Sequence, residues 1–388
     1  MQIKELVFSK KLILFVLICI FFPPLPVLFN SVIFKIEGLL IGLLFFLNIP
    51  LIFKKNLFEN INRFIIFLFV MPALWGLIIG LLNKNPEYYL LKDLFFFLIP
   101  LMVYVLLVVK KVKIGDLRDT IIVYAYYAAF FQIIFSVHGL ITWNNRPFFR
   151  HTSLLISTEV VIFALILNIS KDLKLFKLEN VLFIMALLST LGRFDLLFVI
   201  ASICTVLFLK IVKNGKLRFV YLVGFFMAGT IFYFLPLFLN SVNIIGDSSV
   251  RWRYIEWLSY FNAIKDFSLS QILFGNGFGS FLKTIRPLRL FSGVRLFQID
   301  RFHNLYLFLM FKLGFVGMIY VFSLIYYVFK GLRLYTENNF VYLKFLLVIL
   351  ILVGGLVGGI NTSSLLMGIV LGLLIYIYEG LVNVKRYD

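Results

Sequence analysis

The sequence predicts an all-α, polytopic integral membrane protein with about twelve transmembrane helices. Hydrophobic residues make up 62% of its 388 residues and charged residues only 14%, whereas a soluble domain has about 25% charged residues. The apolar residues form runs close to the roughly 20 residues that span a bilayer. Lys and Arg gather in alternate connections between these runs, as membrane topology requires. The composition excludes a soluble globule and a disordered chain.

Twelve apolar runs are candidates for membrane spans. They cover residues 12–29, 36–53, 62–82, 88–109, 119–141, 153–170, 178–191, 194–212, 217–239, 303–329, 341–360 and 363–382. The seventh and eighth runs are short and meet at Gly192-Arg193, so we interpret them as two helices that meet at one membrane face. A single helix over 178–212 is the alternative, and it would reverse the topology that follows. No small-residue cleavage site follows the first run, which favours a retained helix over a signal peptide.

The distribution of charge orients these spans. The formal net charge is +19, and more than half of the basic residues fall on one side when the N-terminus is placed inside. The positive-inside rule therefore predicts that both termini lie in the cytoplasm. The two cysteines, Cys19 and Cys204, lie in apolar runs, so neither a structural disulfide nor a cysteine metal site is expected.

One connection, residues 240–302, is far longer than the roughly 12–15 residues of an ordinary loop. We treat residues 1–388 as a single transmembrane domain and expect this segment to be a large outer loop with interfacial helices. It carries twice as many basic as acidic residues, the aromatic cluster from Trp252 to Tyr260, and the glycine-rich stretch Gly275–Gly279. An excess of positive charge on the outer side suits an anionic ligand.

Four arginines are candidates for binding that ligand. Arg193 lies at the junction of the two short helices, Arg251 and Arg253 begin the aromatic cluster, and Arg150 ends a second basic patch. Guanidinium groups bind phosphate oxygens in a bidentate geometry. Each has a simpler alternative: Arg193 can pair with Asp195, and the others can contact lipid head groups or solvent.

His303 and Asn304 open the tenth apolar run, where the chain leaves the long segment. A histidine there is within reach of water and of a membrane-bound substrate, and histidine is the usual general base near neutral pH. The alternative is that His303 only caps the helix. We expect Arg193, Arg253 and His303 to face one cavity near the outer surface.

Several functional classes lack their motifs. The sequence contains no P-loop, no D-x-D motif and no Cys/His metal spacing, so we expect no cofactor and no metal. The positive charge is explained by membrane topology, so we expect no nucleic-acid partner.

An ordered set of short motifs carries a resemblance to a known family. The set comprises Arg253-x-x-x-Trp257, Gly275-x-Gly277-x-Gly279-x-Phe281, His303-Asn304-x-Tyr306-Leu307 and Gly314-x-x-Gly317. It resembles the C-terminal signature of the O-antigen polymerase and O-antigen ligase superfamily of membrane glycosyltransferases. The resemblance covers residues 190–320, and the rest of the chain agrees in topology and composition.

The resemblance implies an enzyme at the periplasmic face of the bacterial inner membrane. Its donor and acceptor would be polyprenyl-diphosphate-linked oligosaccharides, with membrane lipids and a chain-length regulator protein as further partners. Arg193 and Arg253 would bind the diphosphate and His303 would be the base. Arg150, Arg251 and Asn304 would extend the contacts to substrate.

Within this family, the compact glycine motif and Tyr306 favour an O-antigen polymerase. An O-antigen ligase, which transfers the glycan to lipid A-core, is the alternative. A transporter or flippase of lipid-linked glycans is a second-class alternative. It would line a central cavity with the charges inside the apolar runs: Lys92, Asp93, Glu159 and Lys312.

Overall fold

The computed structural model describes residues 43, 61–143, 158–172, 177–189, 248–289, 295–300, 302, 304–330 and 365–382. These residues are mostly helical, which confirms the predicted α-helical character. The helices in the described part are α1 (Arg63–Leu82), α2 (Glu87–Val109), α3 (Ile114–Trp143), α4 (Thr158–Asp172), α5 (Leu178–Ser189), α6 (Ser248–Ala263), α7 (Leu269–Phe274), α8 (Leu305–Leu313), α9 (Phe315–Lys330) and α10 (Leu365–Val382). Two strands, β1 (Leu282–Arg289) and β2 (Arg295–Ile299), lie between α7 and α8.

Apart from α6 and α7, the described helices follow the apolar runs of the sequence. Seven of the twelve predicted runs fall on described helices, and the other five lie outside the described residues, apart from residue 43. Among the described helices, α1 and α2 are long and apolar enough to cross a membrane. Both contain a proline, Pro72 and Pro100, and both continue through it.

The long helices pack in two groups. α10 lies along α2, and the approach is close because a Cβ at Gly372 would overlap the carbonyl oxygen of Pro100. α3, α4 and α5 pack against one another. Tyr126 of α3 contacts Phe183 of α5, with 5.2 Å between their ring centroids. At the contact of α10 with α2, it is the small residue Gly372 that allows the two helix backbones to approach closely.

An aromatic cluster joins α1, α2 and α9. Phe97 lies 5.1 Å from Tyr320 and 5.8 Å from Phe278, measured between ring centroids. Phe69 lies 5.7 Å from Tyr320 in an edge-on arrangement. All four rings are buried. Phe278 belongs to the glycine-rich stretch, so this cluster anchors the long segment to the helices.

The glycine-rich stretch, residues 275–279, runs between α1, α2 and α8. Its backbone is hydrogen-bonded to α8 and to α1. The backbone nitrogen of Asn276 donates to the carbonyl oxygen of Phe311 in α8 (2.9 Å), and that of Phe278 donates to the carbonyl oxygen of Gly76 in α1 (2.9 Å). The side-chain amide of Asn85 donates to the carbonyl oxygen of Phe278 (2.8 Å). Buried backbone groups need such partners, so the stretch is an integral part of the packed helices.

The predicted span 303–329 is divided in the structure, which corrects the expectation of one continuous helix. α8 ends at Leu313, and Gly314 adopts a left-handed backbone conformation with φ of 61° before α9 begins. The carbonyl oxygens of Phe311 and Lys312 accept hydrogen bonds from the glycine-rich stretch. The break is therefore stabilised because the last carbonyls of α8 find partners outside the helix.

The two strands form an antiparallel hairpin, which the sequence analysis did not predict. Leu282 faces Ile299 at one end and Arg289 faces Arg295 at the other. The register shifts between Lys283 and Leu288, a stretch that contains Pro287, which cannot donate a ladder hydrogen bond. The long segment therefore contains a hairpin as well as the expected short helices.

Replacing Gly277 with alanine should destabilise the protein by more than about 2 kcal/mol, the scale of a strained backbone combined with a steric clash. Gly277 has φ of 78°, and an added Cβ would overlap the backbone of Gly80. Gly115→Ala is the matched control, because nothing lies within 4 Å of a Cβ there. Thermal unfolding of the purified protein in detergent measures both. Equal melting temperatures for the two variants would contradict the close packing of this stretch.

Candidate functional site

The structure describes part of the predicted site. Arg253 and Asn304 are described with their side chains, and Arg251 lies in α6, with a side chain outside the described part. Three predicted residues lie outside the described residues: Arg150, Arg193 and His303. The expected convergence of Arg193, Arg253 and His303 on one cavity therefore stays a prediction.

Arg253 lies on α6, as the sequence predicted for an amphipathic helix. It is half-buried, as is Trp257 one turn later, while Tyr254 is exposed. Ile255 and Tyr260 of the same helix are buried, and Tyr260 lies two turns after Arg253 on the same side of the helix. Burial raises the pKa of the Tyr260 phenol above its ordinary value, so this side chain stays neutral at physiological pH. Arg253 and Trp257 thus lie at the half-buried edge of this helix.

Polar contacts hold α6 in that position. The indole nitrogen of Trp252 donates to Oε1 of Glu256 at 2.7 Å, and Glu256 is fully buried. Ser259 Oγ donates to the carbonyl oxygen of Ile255 and accepts from the backbone nitrogen of Ile285 in β1 at 3.1 Å. α6 packs along β1 and also contacts α8. The arginine-bearing helix and the helix after His303 are therefore neighbours.

Asn304 is the N-cap of α8. Its side-chain oxygen accepts a hydrogen bond from the backbone nitrogen of Leu307 at 3.1 Å, and the residue is 1% exposed. A capping role for His303 was the alternative at this helix start, and Asn304 is the N-cap residue instead. A contact between Asn304 and substrate stays a prediction, and the capping bond was missed although Asn is a preferred N-cap residue.

A fully buried ion pair lies beside the glycine-rich stretch. Nζ of Lys312 is 2.8 Å from Oδ2 of Asp93, and the two side chains are 0% and 1% exposed. Oδ2 of Asp93 also accepts from the backbone nitrogen of Gly279 at 2.9 Å. Nζ of Lys312 also donates to the carbonyl oxygen of Ser280. These contacts join α2, the glycine-rich stretch and α8 at one point.

A second ion pair starts from the residue next to Asp93. Lys92 donates to Asp300, which directly follows β2. Nζ of Lys92 also lies 4.8 Å from the centroid of the Tyr89 ring. This pair is partly exposed, with 13% and 24% of the two side chains accessible. Lys92, Asp93 and Lys312 are recognisable in the sequence as charges within apolar runs, but their partners are not.

Of the acidic residues described above, Asp93 and Asp300 pair with lysines, and Glu256 accepts from Trp252. Within the described residues, no group of three or more His, Cys, Asp or Glu side chains is arranged to hold a metal ion. Among the described candidates, the guanidinium group of Arg253 is a group that can bind an anion.

Comparisons with known proteins identify no relative. No protein-family model matches the chain, and no curated protein sequence is significantly similar to it.

Proposed function

We propose that the chain is a membrane glycosyltransferase that joins polyprenyl-diphosphate-linked oligosaccharide repeat units into O-antigen at the periplasmic face of the bacterial inner membrane. One observation carries the proposal: α6, which bears Arg253, packs on β1 and contacts α8, whose N-cap is Asn304. The helix that bears Arg253 and the helix that follows His303 are thus neighbours in space although about 50 residues separate them in the sequence.

The reaction uses these groups as follows. A hydroxyl oxygen of the acceptor unit attacks the anomeric carbon of the donor sugar, and the bond from that carbon to the diphosphate oxygen breaks. His303 accepts the hydroxyl proton. Arg253 and Arg193 stabilise the negative charge that develops on the departing polyprenyl diphosphate. Because the donor is already activated, the arginines and one base suffice.

Exposed apolar faces support a membrane setting. One face of α1 exposes a stripe at helical spacing: Phe64, Phe67, Met71, Leu74 and Ile78. A second stripe runs along α9: Phe315, Ile319, Phe322 and Tyr326. Soluble monomers rarely expose large contiguous apolar patches, and such faces are suited to contact with lipid chains. Polyprenyl carriers have the same chemistry and can approach along them.

We expect the segment that contains α6, α7 and the hairpin to lie outside and the α2–α3 connection to lie in the cytoplasm. In a variant that lacks Cys19 and Cys204, a cysteine at Ser270 should react with an impermeant thiol reagent applied from outside, and one at Lys113 should not. Both positions are exposed, so accessibility within the protein is matched. Labelling of position 113 from outside would contradict this topology.

Deletion of the gene tests the function. For a polymerase, the deletion strain should carry single repeat units on lipid A-core, and long chains should return when the gene is restored. Loss of all attached glycan with accumulation of carrier-linked polymer would identify a ligase instead. Accumulation of carrier-linked single units on the cytoplasmic side would identify a transporter. A normal surface polysaccharide would contradict all three functions.

A further inference from the structure

Two consecutive residues of α2 bind the chain on both sides of the strand-to-helix junction at residues 300–304. Lys92 pairs with Asp300 at the beginning of the junction. Asp93 pairs with Lys312 in the last turn of α8, which the junction leads into. In the first pair α2 supplies the lysine, and in the second it supplies the aspartate. One site on α2 therefore binds the start of the junction and the end of α8. We call Lys92 and Asp93 together the α2 clamp.

We call the buried Asp93–Lys312 pair the inner pair and the Lys92–Asp300 pair the outer pair. Backbone groups around the inner pair determine which side must carry the negative charge. Asp93 also accepts from the N–H group of Gly279, and Lys312 also donates to the carbonyl oxygen of Ser280. A donor faces the carboxylate and an acceptor faces the ammonium group. Exchanging the two side chains would place an ammonium group against an N–H group and a carboxylate against a carbonyl oxygen.

Stability alone does not account for a charge pair at this depth. The desolvation of two buried charges offsets much of their attraction, and a buried pair replaced by apolar side chains often leaves a protein as stable as before. The pair does, however, require one arrangement of three segments, because a displaced partner would leave an uncompensated buried charge. The main effect of the pair is therefore to fix how α2, the glycine-rich stretch and α8 are arranged.

We propose that the α2 clamp positions the start of α8 for the reaction. Lys92 and Asp93 are positioning residues: they bind Asp300 and Lys312. They thereby fix the helix that begins after Asn304, the residue next in sequence to the proposed base. This inference rests on the proposed function, and it assigns a role to intramembrane charges that the reaction itself does not use.

Exchange of the charges tests the clamp. Polymer formation is measured in a null strain at matched expression. Lys92→Asp and Asp300→Lys should each lower the rate at least tenfold, and the double exchange should return it to within about threefold of wild type, since a partly exposed pair tolerates reversal. The exchanged inner pair, Asp93→Lys/Lys312→Asp, should not regain the wild-type rate, because the backbone groups of Gly279 and Ser280 then face the wrong charges. Full activity of the outer single variants, or recovery by the inner exchange, would overturn the proposal.

An apolar replacement separates positioning from stability. Asp93→Leu/Lys312→Met removes both charges but also removes the partners of the Gly279 N–H group and the Ser280 carbonyl oxygen, so its unfolding temperature in detergent should fall. Its kcat should in addition fall at least tenfold, with little change in KM for carrier-linked repeat units. Leu165→Ala is the control for lost stability, because Leu165 is fully buried in α4, which packs mainly against α3 and α5. It should lower the unfolding temperature by a similar amount and leave kcat unchanged. Wild-type kcat in the apolar variant would overturn the proposal.

Hydrogen exchange distinguishes failure of the clamp from failure of the proposed function. Lys92→Ala should speed amide exchange at residues 302–313 at least tenfold, while Leu165→Ala should leave these amides unchanged. If wild-type protein makes no polymer but exchange changes as expected, the clamp exists and the proposed function is wrong. If wild-type protein makes polymer and exchange is unchanged, the clamp is wrong.

Discussion

Replacing His303 with alanine should abolish long-chain polymer, or lower its rate of formation by about 100-fold or more, the usual contribution of a general base. The protein should remain folded in membranes, because the cap of α8 is supplied by the side chain of Asn304 and not by His303. The measurement is polymer length in a null strain that carries the variant at matched expression.

Two further variants sharpen this test. His303→Gln keeps a hydrogen-bonding side chain but cannot accept the proton, so it should fail to the same extent. Asn304→Ala removes the bond to Leu307 and should cost about 1 kcal/mol of stability, the usual value of an N-cap. Full-length polymer from His303→Ala would remove the base assignment.

Replacing Arg253 with alanine should lower the rate by about 100-fold, the scale of losing one preorganised group that stabilises developing charge. Arg253→Lys should retain partial activity, roughly tenfold below wild type, because an ammonium group keeps the charge and loses bidentate geometry. Lys265→Ala is the matched control. It removes one positive charge from an exposed position in the turn after α6.

The control also defines the contradicting result. If Lys265→Ala lowers the rate as much as Arg253→Ala, the segment contributes only general positive charge. If Arg253→Lys is as inactive as Arg253→Ala while both proteins remain folded, bidentate contact is essential and charge alone contributes little.

The helices were predictable because their cause is local. Apolar runs 62–82 and 88–109 became α1 and α2 with ends within one residue of the prediction. The break at Gly314 was not predictable from its own run, because the run is apolar on both sides of the glycine. The break depends on hydrogen bonds from Asn276 and Gly277, far earlier in the sequence.

The site was predictable only in part, for a related reason. The spacing of Arg253 and Trp257 correctly indicated a helix. The ion pair of Asp93 and Lys312 joins residues that are far apart in sequence, and charge patterns do not specify such pairing. A usable signal was present, since oppositely charged residues in two apolar runs need partners in a membrane. The hairpin was missed because Pro287 and the basic residues weaken its strand pattern.

Reconstitution tests the central claim most directly. Carrier-linked repeat units extracted from the deletion strain are added to liposomes that contain only the purified protein, and the products are separated by length. The account predicts a ladder of carrier-linked polymers with release of free polyprenyl diphosphate, and no ladder from liposomes with His303→Ala. Repeat units that remain single with folded wild-type protein would contradict it.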